Sequence, residues 1–226
     1  MMSVRPDVLP EVALTELKLL QDSVKPFDSA TAIKQIESEL GCPLGQVFSE
    51  ISEEPVAAAS LAQVYKARLL GTGEVVAVKI QRPHVLEVVS KDLYVLRRAA
   101  EVYQGLMERF APQQRTNYVA LLNEWAVGFY TELDFLNEAA NQQRLKDLLV
   151  AEDIAGMYIP EVYHQYCTRR VLVSEWIDGI KLSECGQDEL RSLIPDAQES
   201  FLTQLLQVGF FHSGDVCCAL LCCLII

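Results

Sequence analysis

Two strand-like runs joined by a glycine turn constrain this chain more than any other feature. Val64-Tyr65-Lys66-Ala67-Arg68-Leu69 and Val75-Val76-Ala77-Val78-Lys79-Ile80 read as strands, and Gly71-Thr72-Gly73 between them reads as a hairpin connection. Side chains alternate along a strand, so Val76, Val78 and Ile80 point one way while Ala77 and Lys79 point the other. Pro83 ends the second strand and leads into a long helix, about Val85 to Phe110.

Helical patterns flank this hairpin. Pro10 opens a first helix with Val12, Leu14, Leu17 and Leu20 as its apolar stripe. A second runs from Asp28 as N-cap to Gly41 as C-cap and turns Ile33, Ile36 and Leu40 inward. After Ala111-Pro112, near-helical spacing of Leu122, Trp125, Phe129, Leu133, Leu136 and Ala140 predicts one long helix from about Asn117 to Val150. Short strands are expected around Tyr158 to Val162 and Arg170 to Trp176, with a break at Asp178-Gly179. A last helix, Asp188 to Val208, is expected to bury Leu190, Leu193, Ile194, Ala197, Phe201 and Leu205. The order of helices and hairpins makes this an α+β chain, without internal repeats or low-complexity linkers. Its 226 residues, half of them apolar, suit one large domain or two small lobes.

A net charge of −12 repels phosphate backbones and argues against a nucleic-acid partner. No apolar run is long enough for a membrane-spanning helix. The N-terminus has neither a signal-peptide apolar stretch nor the Arg/Ser-rich, acid-poor character of a transit peptide, so no import signal is expected in this chain. Cys42, Cys167 and Cys185 are scattered and read as reduced intracellular cysteines. Cys217, Cys218, Cys222 and Cys223 cluster in the last ten residues but lack histidine and C-x-x-C spacing, so no metal site is assigned. Cys223-Leu224-Ile225-Ile226 has the outline of a prenylation box, with the wrong last residue and no basic stretch before it.

Chemistry concentrates in four places. In Ala57-Ala58-Ala59-Ser60-Leu61-Ala62-Gln63-Val64, the glycine slots of a kinase phosphate loop hold Ala57, Ala59 and Ala62, with Val64 in the valine slot. Small residues let backbone amides approach phosphate oxygens, while each added Cβ stiffens the loop. On the strand that follows, Ala77 leaves room for an adenine and Lys79 reaches the phosphates; the plain alternative for Lys79 is a solvent-facing strand lysine. Asp134 and Glu138 stand four apart on the expected helix, so their carboxylates repel. Lys79 is the candidate cation to offset them, against the alternative of a solvated acidic face. In Val171 to Gly179, an apolar strand running into acid, aromatic and glycine resembles a hinge between two lobes, where backbone groups of Glu175 and Ile177 would pair with an adenine edge. A plain buried strand ending in a turn has the same local pattern.

Taken together, Ala57 to Val64, AVKIQRP (Ala77 to Pro83), ELDFLNEAAN (Glu132 to Asn141), VLVSEWIDG (Val171 to Gly179) and GFFHS (Gly209 to Ser213) resemble the UbiB family of atypical kinases, the ADCK-type group associated with isoprenoid quinone metabolism. The similarity runs from Ser3 to about Ser213. It implies a protein-kinase-like fold: an N-lobe with family-specific helices plus the beginning of a C-lobe. ATP or ADP with Mg²⁺ are the implied ligands, and an isoprenoid or quinone-precursor lipid a further partner, with peripheral membrane association. Lys79 maps to the invariant lysine, Glu138 to its partner glutamate on the C helix, and Glu132 with Asp134 to the family's E-x-D motif. The implied nucleotide contacts are Ala57, Ala58, Ala59, Ser60, Ala62, Val64, Ala77, Lys79, Glu175 and Ile177. The expected organisation is a helical extension (1–55), a kinase-like N-lobe with two long helices (56–177), the start of a C-lobe (178–213) and an apolar, cysteine-rich tail outside the family pattern (214–226). The resemblance places the protein in a chloroplast, with the mitochondrion as the alternative.

Two departures stand beside the matches. The family's upstream K-x-G-Q segment is absent, Met1 to Pro10 matching just after it. After Gly-Phe-Phe-His the family continues Ala/Ser-Asp-Pro-His-Pro-Gly-Asn and later Asp-Phe-Gly, whereas Ser213 leads here into Gly214-Asp215-Val216-Cys217-Cys218. The catalytic aspartate and both metal-binding motifs are therefore missing, and Asp215 sits one position late with no asparagine behind it. Phosphoryl transfer depends on Mg²⁺ to neutralise charge, so the chain as written is expected to be inactive. The abrupt tail points to a retained intron or a gene-model error, which would leave the last helix partly uncovered. The expectation is a truncated UbiB-type protein, with a non-catalytic pseudokinase or interaction module as the alternative and a plain helical scaffold as the third reading.

Overall fold

The computed structural model describes residues 10, 24–110, 113, 116–151, 158–179 and 185–209. The expected first helix after Pro10, the tail and all of GFFHS beyond Gly209 lie outside the described residues.

The two strands predicted from alternation are the centre of the molecule. β3 (Ala62–Leu69) and β4 (Val75–Gln81) pair antiparallel through seven registered positions. The connection closes as Leu69 N–H donates to the Glu74 carbonyl, and Gly73 supplies the left-handed residue, φ 75°. β5 (Val171–Glu175) adds to the free edge of β4. β1 (Phe48–Ile51) and β2 (Ala57–Ala58) lie end to end along the far edge of β3, giving the order β1-β3-β4-β5 with β2 beside β3. The expected strand at Tyr158 to Val162 is reduced to a single bridge, Val162 to Ser174.

One face of the sheet is the core. Tyr65, Val76, Val78, Ile80, Val171 and Val173 are fully buried there, each apolar side chain contributing about 2 kcal/mol of transfer free energy. Helix α1 (Ser29–Leu40) covers this face with Ala32 and Ile36, Leu40 packing at its margin and Ile33 half-exposed. Both of its ends follow the sequence. The Asp28 carboxylate accepts from the Thr31 amide at 2.8 Å, and Gly41, at φ 71°, donates back to the Glu37 carbonyl.

After β4 the chain makes a long excursion. Helix α2 (Val85–Phe110) turns back as α3 (Tyr118–Glu132), and the two pack side by side through Tyr103 and Tyr118, edge to face at 4.9 Å. The single helix expected from Asn117 to Val150 is two, because the chain breaks at Leu133-Asp134 before α4 (Phe135–Ala151). The Phe135 amide donates to the Arg169 carbonyl, and the Asp134 carboxylate caps the new helix by accepting from Leu136 N–H at 3.0 Å. Apolar spacing continues through the break, but Trp125 on α3 is 53% exposed.

Helix α5 (Gln187–Thr203) starts one residue before its expected Asp188 and widens into a π turn over Gln204–Val208. It carries Pro195 in its interior. Its expected buried stripe does not form: Ile194, Phe201 and Leu205 are about half exposed and Leu193 and Ala197 intermediate, with Leu190 outside the described side chains. Among the described residues, the extensive contact of α5 is with the π turn that follows it.

Candidate functional site

The second face of the sheet carries the chemistry. Directly paired residues share a face, so the register lays out two rows: Val64, Lys79 and Leu172 in one, Lys66, Ala77 and Ser174 in the next. Helix α4 covers only one end of this face, packing Phe135 and Ala139 against Ala62, Val162 and Leu172. The row of Lys66, Ala77 and Ser174 stays partly exposed, with the small Ala77 at its centre.

Lys79 and Glu138 meet where α4 crosses the sheet. The ammonium donates to both carboxylate oxygens of Glu138, at 2.9 and 3.0 Å, and stands 4.8 Å from the centre of the Phe135 ring. Both side chains are largely buried, 15% and 13% exposed, so the charges depend on each other more than a surface pair would. The break before Phe135 brings Glu138 within reach by giving α4 its own start and direction.

The alanine-rich segment lies on the adjacent edge. Ala57 and Ala58 form β2 and pair with Val64 and Gln63, so the segment is itself a tight hairpin, its turn closed by the Ala59 amide donating to the Ala62 carbonyl at 2.8 Å. Ser60 is exposed at the tip and Ala62 is buried under α4. Ala57 and Ala58 therefore have strand rather than loop geometry.

At the other end of β5 the backbone pairing narrows what a hinge could offer. The Glu175 amide donates to the Glu161 carbonyl at 2.8 Å, and its carboxylate accepts from the Tyr158 hydroxyl and the Glu161 amide. This amide is unavailable to an adenine, which corrects part of the expectation for Glu175 and leaves its carbonyl and Ile177. Beyond the strand, Asp178 accepts from the Trp176 indole at 2.6 Å and pairs with Lys66 at 3.4 Å, Lys66 also lying over the Trp176 ring. The indole hydrogen bond first, and then Lys66, hold the Asp178 carboxyl below the usual aspartate range.

Glu132 and Asp134, the expected E-x-D pair, part company. Glu132 is exposed at the end of α3, whereas Asp134 caps α4 and faces Arg169 at 3.5 Å. Several residues at this site carry no signal of their own in the sequence. Phe135 lies beneath Lys79, Gln81 donates its side-chain amide to the Leu133 carbonyl at the break, and Arg82 reaches the alanine turn. Gln81 and Arg82 directly follow Ile80 in AVKIQRP, so the motif marked the place without the role.

Two grooves lie away from the ion pair. One, of about 960 Å³, borders the start of α2 beside Gln81, Arg82, Tyr94 and Arg170; the other, of about 730 Å³, runs between α2 and α3 along Leu96, Tyr103, Leu122 and Trp125. The first is lined by the exposed Lys91–Glu87 pair and the second by apolar and aromatic side chains, neither sharing the burial of Lys79 and Glu138, and hollowness alone does not outrank that chemistry.

A five-stranded antiparallel sheet with a strand lysine held by a glutamate from a crossing helix is the organisation of a kinase-like N-lobe. The chain belongs to the family of the ABC1 atypical kinase-like domain, whose model matches residues 19–216. It is 43% identical over 211 residues to a chloroplastic aarF domain-containing protein kinase of Arabidopsis thaliana, covering 93% of this chain and 29% of the relative. It is 38% identical over 218 residues to a probable protein kinase UbiB of Pseudomonas putida, covering 94% of this chain and 39% of that protein. Among solved structures it resembles Rv3197 of Mycobacterium tuberculosis, determined in complex with erythromycin, with a TM-score of 0.58 and 30% identity over 85% of this chain and 48% of the other. The chain thus spans about a third of the length of the curated relatives it matches. The family and the kinase-like fold implied by the motifs are the ones found.

Proposed function

We propose that this chain is the nucleotide-binding N-lobe portion of a UbiB-type atypical kinase, taking ATP or ADP on the open face of its sheet. The Lys79–Glu138 ion pair carries this reading, because it presents an ammonium, positioned on both carboxylate oxygens, beside the alanine-rich turn. Ala77 leaves space for the base, Lys79 lies where phosphates would reach, and the carbonyl of Glu175 with Ile177 would border the base edge. Ala57 to Val64, including Ser60 and Ala62, would border the phosphates.

Mg²⁺ that arrives with a nucleotide is held by one or two carboxylates together with phosphate oxygens and water. Glu138 and Asp178 each face a lysine already. The departure from the family pattern after Ser213, where the catalytic aspartate is replaced, supports binding without turnover by this sequence.

The relatives' names support placing the whole protein in a chloroplast, and a role in quinone or prenyl-lipid metabolism follows from the resemblance of its motifs to the UbiB family. No helix among the described residues is long and apolar enough to cross a membrane.

Calorimetric titration with ADP tests the binding. Saturable binding weakened at least about tenfold by Lys79→Ala is expected, and no binding by the native chain would overturn the reading. Phosphate release from ATP with Mg²⁺ tests the rest. None is expected, and any Lys79-dependent release would overturn the claim of inactivity. The alternative, an interaction module with no nucleotide, is favoured if the chain ignores ADP yet folds cooperatively.

A further inference from the structure

The alanine-rich turn is short, exposed at Ser60 and paired through only two residues of β2. A turn of that kind frays unless something outside it holds it. The residue that does so is Arg82, at the end of β4. Its Nε donates to the Ala59 carbonyl at 2.9 Å and its Nη2 to the Lys25 carbonyl at 2.8 Å. Its own main-chain N–H donates to the Leu61 carbonyl at 2.9 Å, and its guanidinium lies 5.8 Å from the Phe27 ring.

The segment it reaches is fixed independently. Phe27 and the buried Gln63 exchange hydrogen bonds: the Phe27 amide donates to Gln63 Oε1 at 3.1 Å, and Gln63 Nε2 donates to the Phe27 carbonyl. Lys25 to Phe27 therefore form a post tied to β3, and Arg82 spans from that post to the turn. Only a planar, forked donor bridges two carbonyls in this way; a lysine ammonium is a point charge on a flexible stem.

We infer that Arg82 is a positioning residue that clamps the alanine-rich turn to the Lys25–Phe27 segment and so fixes the turn's backbone for the phosphates of a bound nucleotide. The inference rests on the nucleotide reading above and adds a consequence that reading lacks. The stretch of chain entering α1 bears directly on the phosphate loop, so a displacement at Lys25 is felt at Ala59. Arg82 acts through the turn, its Nε and Nη2 being engaged by main-chain carbonyls.

The test compares ADP with adenosine, which lacks phosphates, on the full chain carrying Arg82→Ala or Arg82→Lys. Both variants are expected to lose about tenfold in ADP affinity while adenosine affinity stays within about twofold of the native value. Full recovery of ADP binding by Arg82→Lys would overturn the clamp, since it would show that charge alone suffices. So would an equal loss for ADP and adenosine, the mark of general unfolding. Should Arg82→Ala fail to fold, Arg82→Lys carries the comparison. Hydrogen exchange without ligand separates the two claims. Faster exchange at the Ala59 amide in both variants is expected whether or not nucleotide binds, and unchanged exchange would overturn the clamp. A native chain that binds neither ADP nor adenosine would overturn the nucleotide reading alone.

Discussion

At the scale of single residues, the ion pair of Lys79 and Glu138 joins two largely buried charges. Removing the lysine leaves a largely buried carboxylate without its cation, a loss larger than the net worth of the pair. Lys79→Ala is expected to lower stability by about 2 kcal/mol, read from the urea midpoint. Glu138→Gln, which still accepts from the ammonium, is expected to cost about half as much. The double variant Lys79→Met, Glu138→Leu is expected to recover part of the loss, and strictly additive losses would contradict this account. Lys79 was legible because alternation along β4 puts it and Ala77 opposite Val76, Val78 and Ile80. Glu138 was legible through its unfavourable spacing from Asp134 and the resemblance that paired it with Lys79. Phe135, Gln81 and Arg82 were not, because their roles are contacts with backbone or rings that only the assembled fold brings near.

At the scale of elements, caps written in local sequence were readable and breaks imposed from a distance were not. Helix α1 has its bounds in Asp28 and Gly41. The division between α3 and α4 depends on the carbonyl of Arg169, remote in sequence, taking the Phe135 amide, and Leu133, Leu136 and Ala140 keep helical spacing straight through it. The cap of α1 gives a pH dependence with a definite sign. Hydrogen bonds from the Thr31 hydroxyl and then its amide hold the Asp28 carboxyl below its ordinary value. A group depressed in the folded state stabilises above its unfolded pKa, and that stabilisation is lost as pH falls through the carboxylate range. Acidification is therefore expected to weaken amide protection in the first turn of α1. Asp28→Asn keeps the acceptor without the charge, and its protection is expected to stay flat over the same range. An equal acid response in that variant would rule the carboxyl out as the cause.

At the scale of the whole molecule, the sheet is finished on one face and open on the other. The closed face was legible, since apolar periodicity states which side chains turn inward. The extent of the uncovered surface was not, because an amphipathic pattern marks an apolar side without saying what lies against it. Val102, Phe110 and Leu121 on α2 and α3 are all exposed by about two-thirds or more. The excursion that carries them has a further property. It leaves the sheet after Gln81 and returns at Leu133, and the side-chain amide of the first residue is bonded to the carbonyl of the second. Departure and return share one doorway, so the paired helices behave as a detachable cassette hung on an otherwise continuous lobe. Replacing residues 84–130 with a short Gly-Ser linker closes a gap the fold has already closed, at little extra loop entropy. The excised chain is expected to melt in one cooperative transition and to keep the ADP affinity of its parent; loss of both would make the cassette part of the lobe's own folding unit. A lineage could then lengthen, shorten or re-decorate these two helices while the sheet, its lysine and its glutamate stay in place.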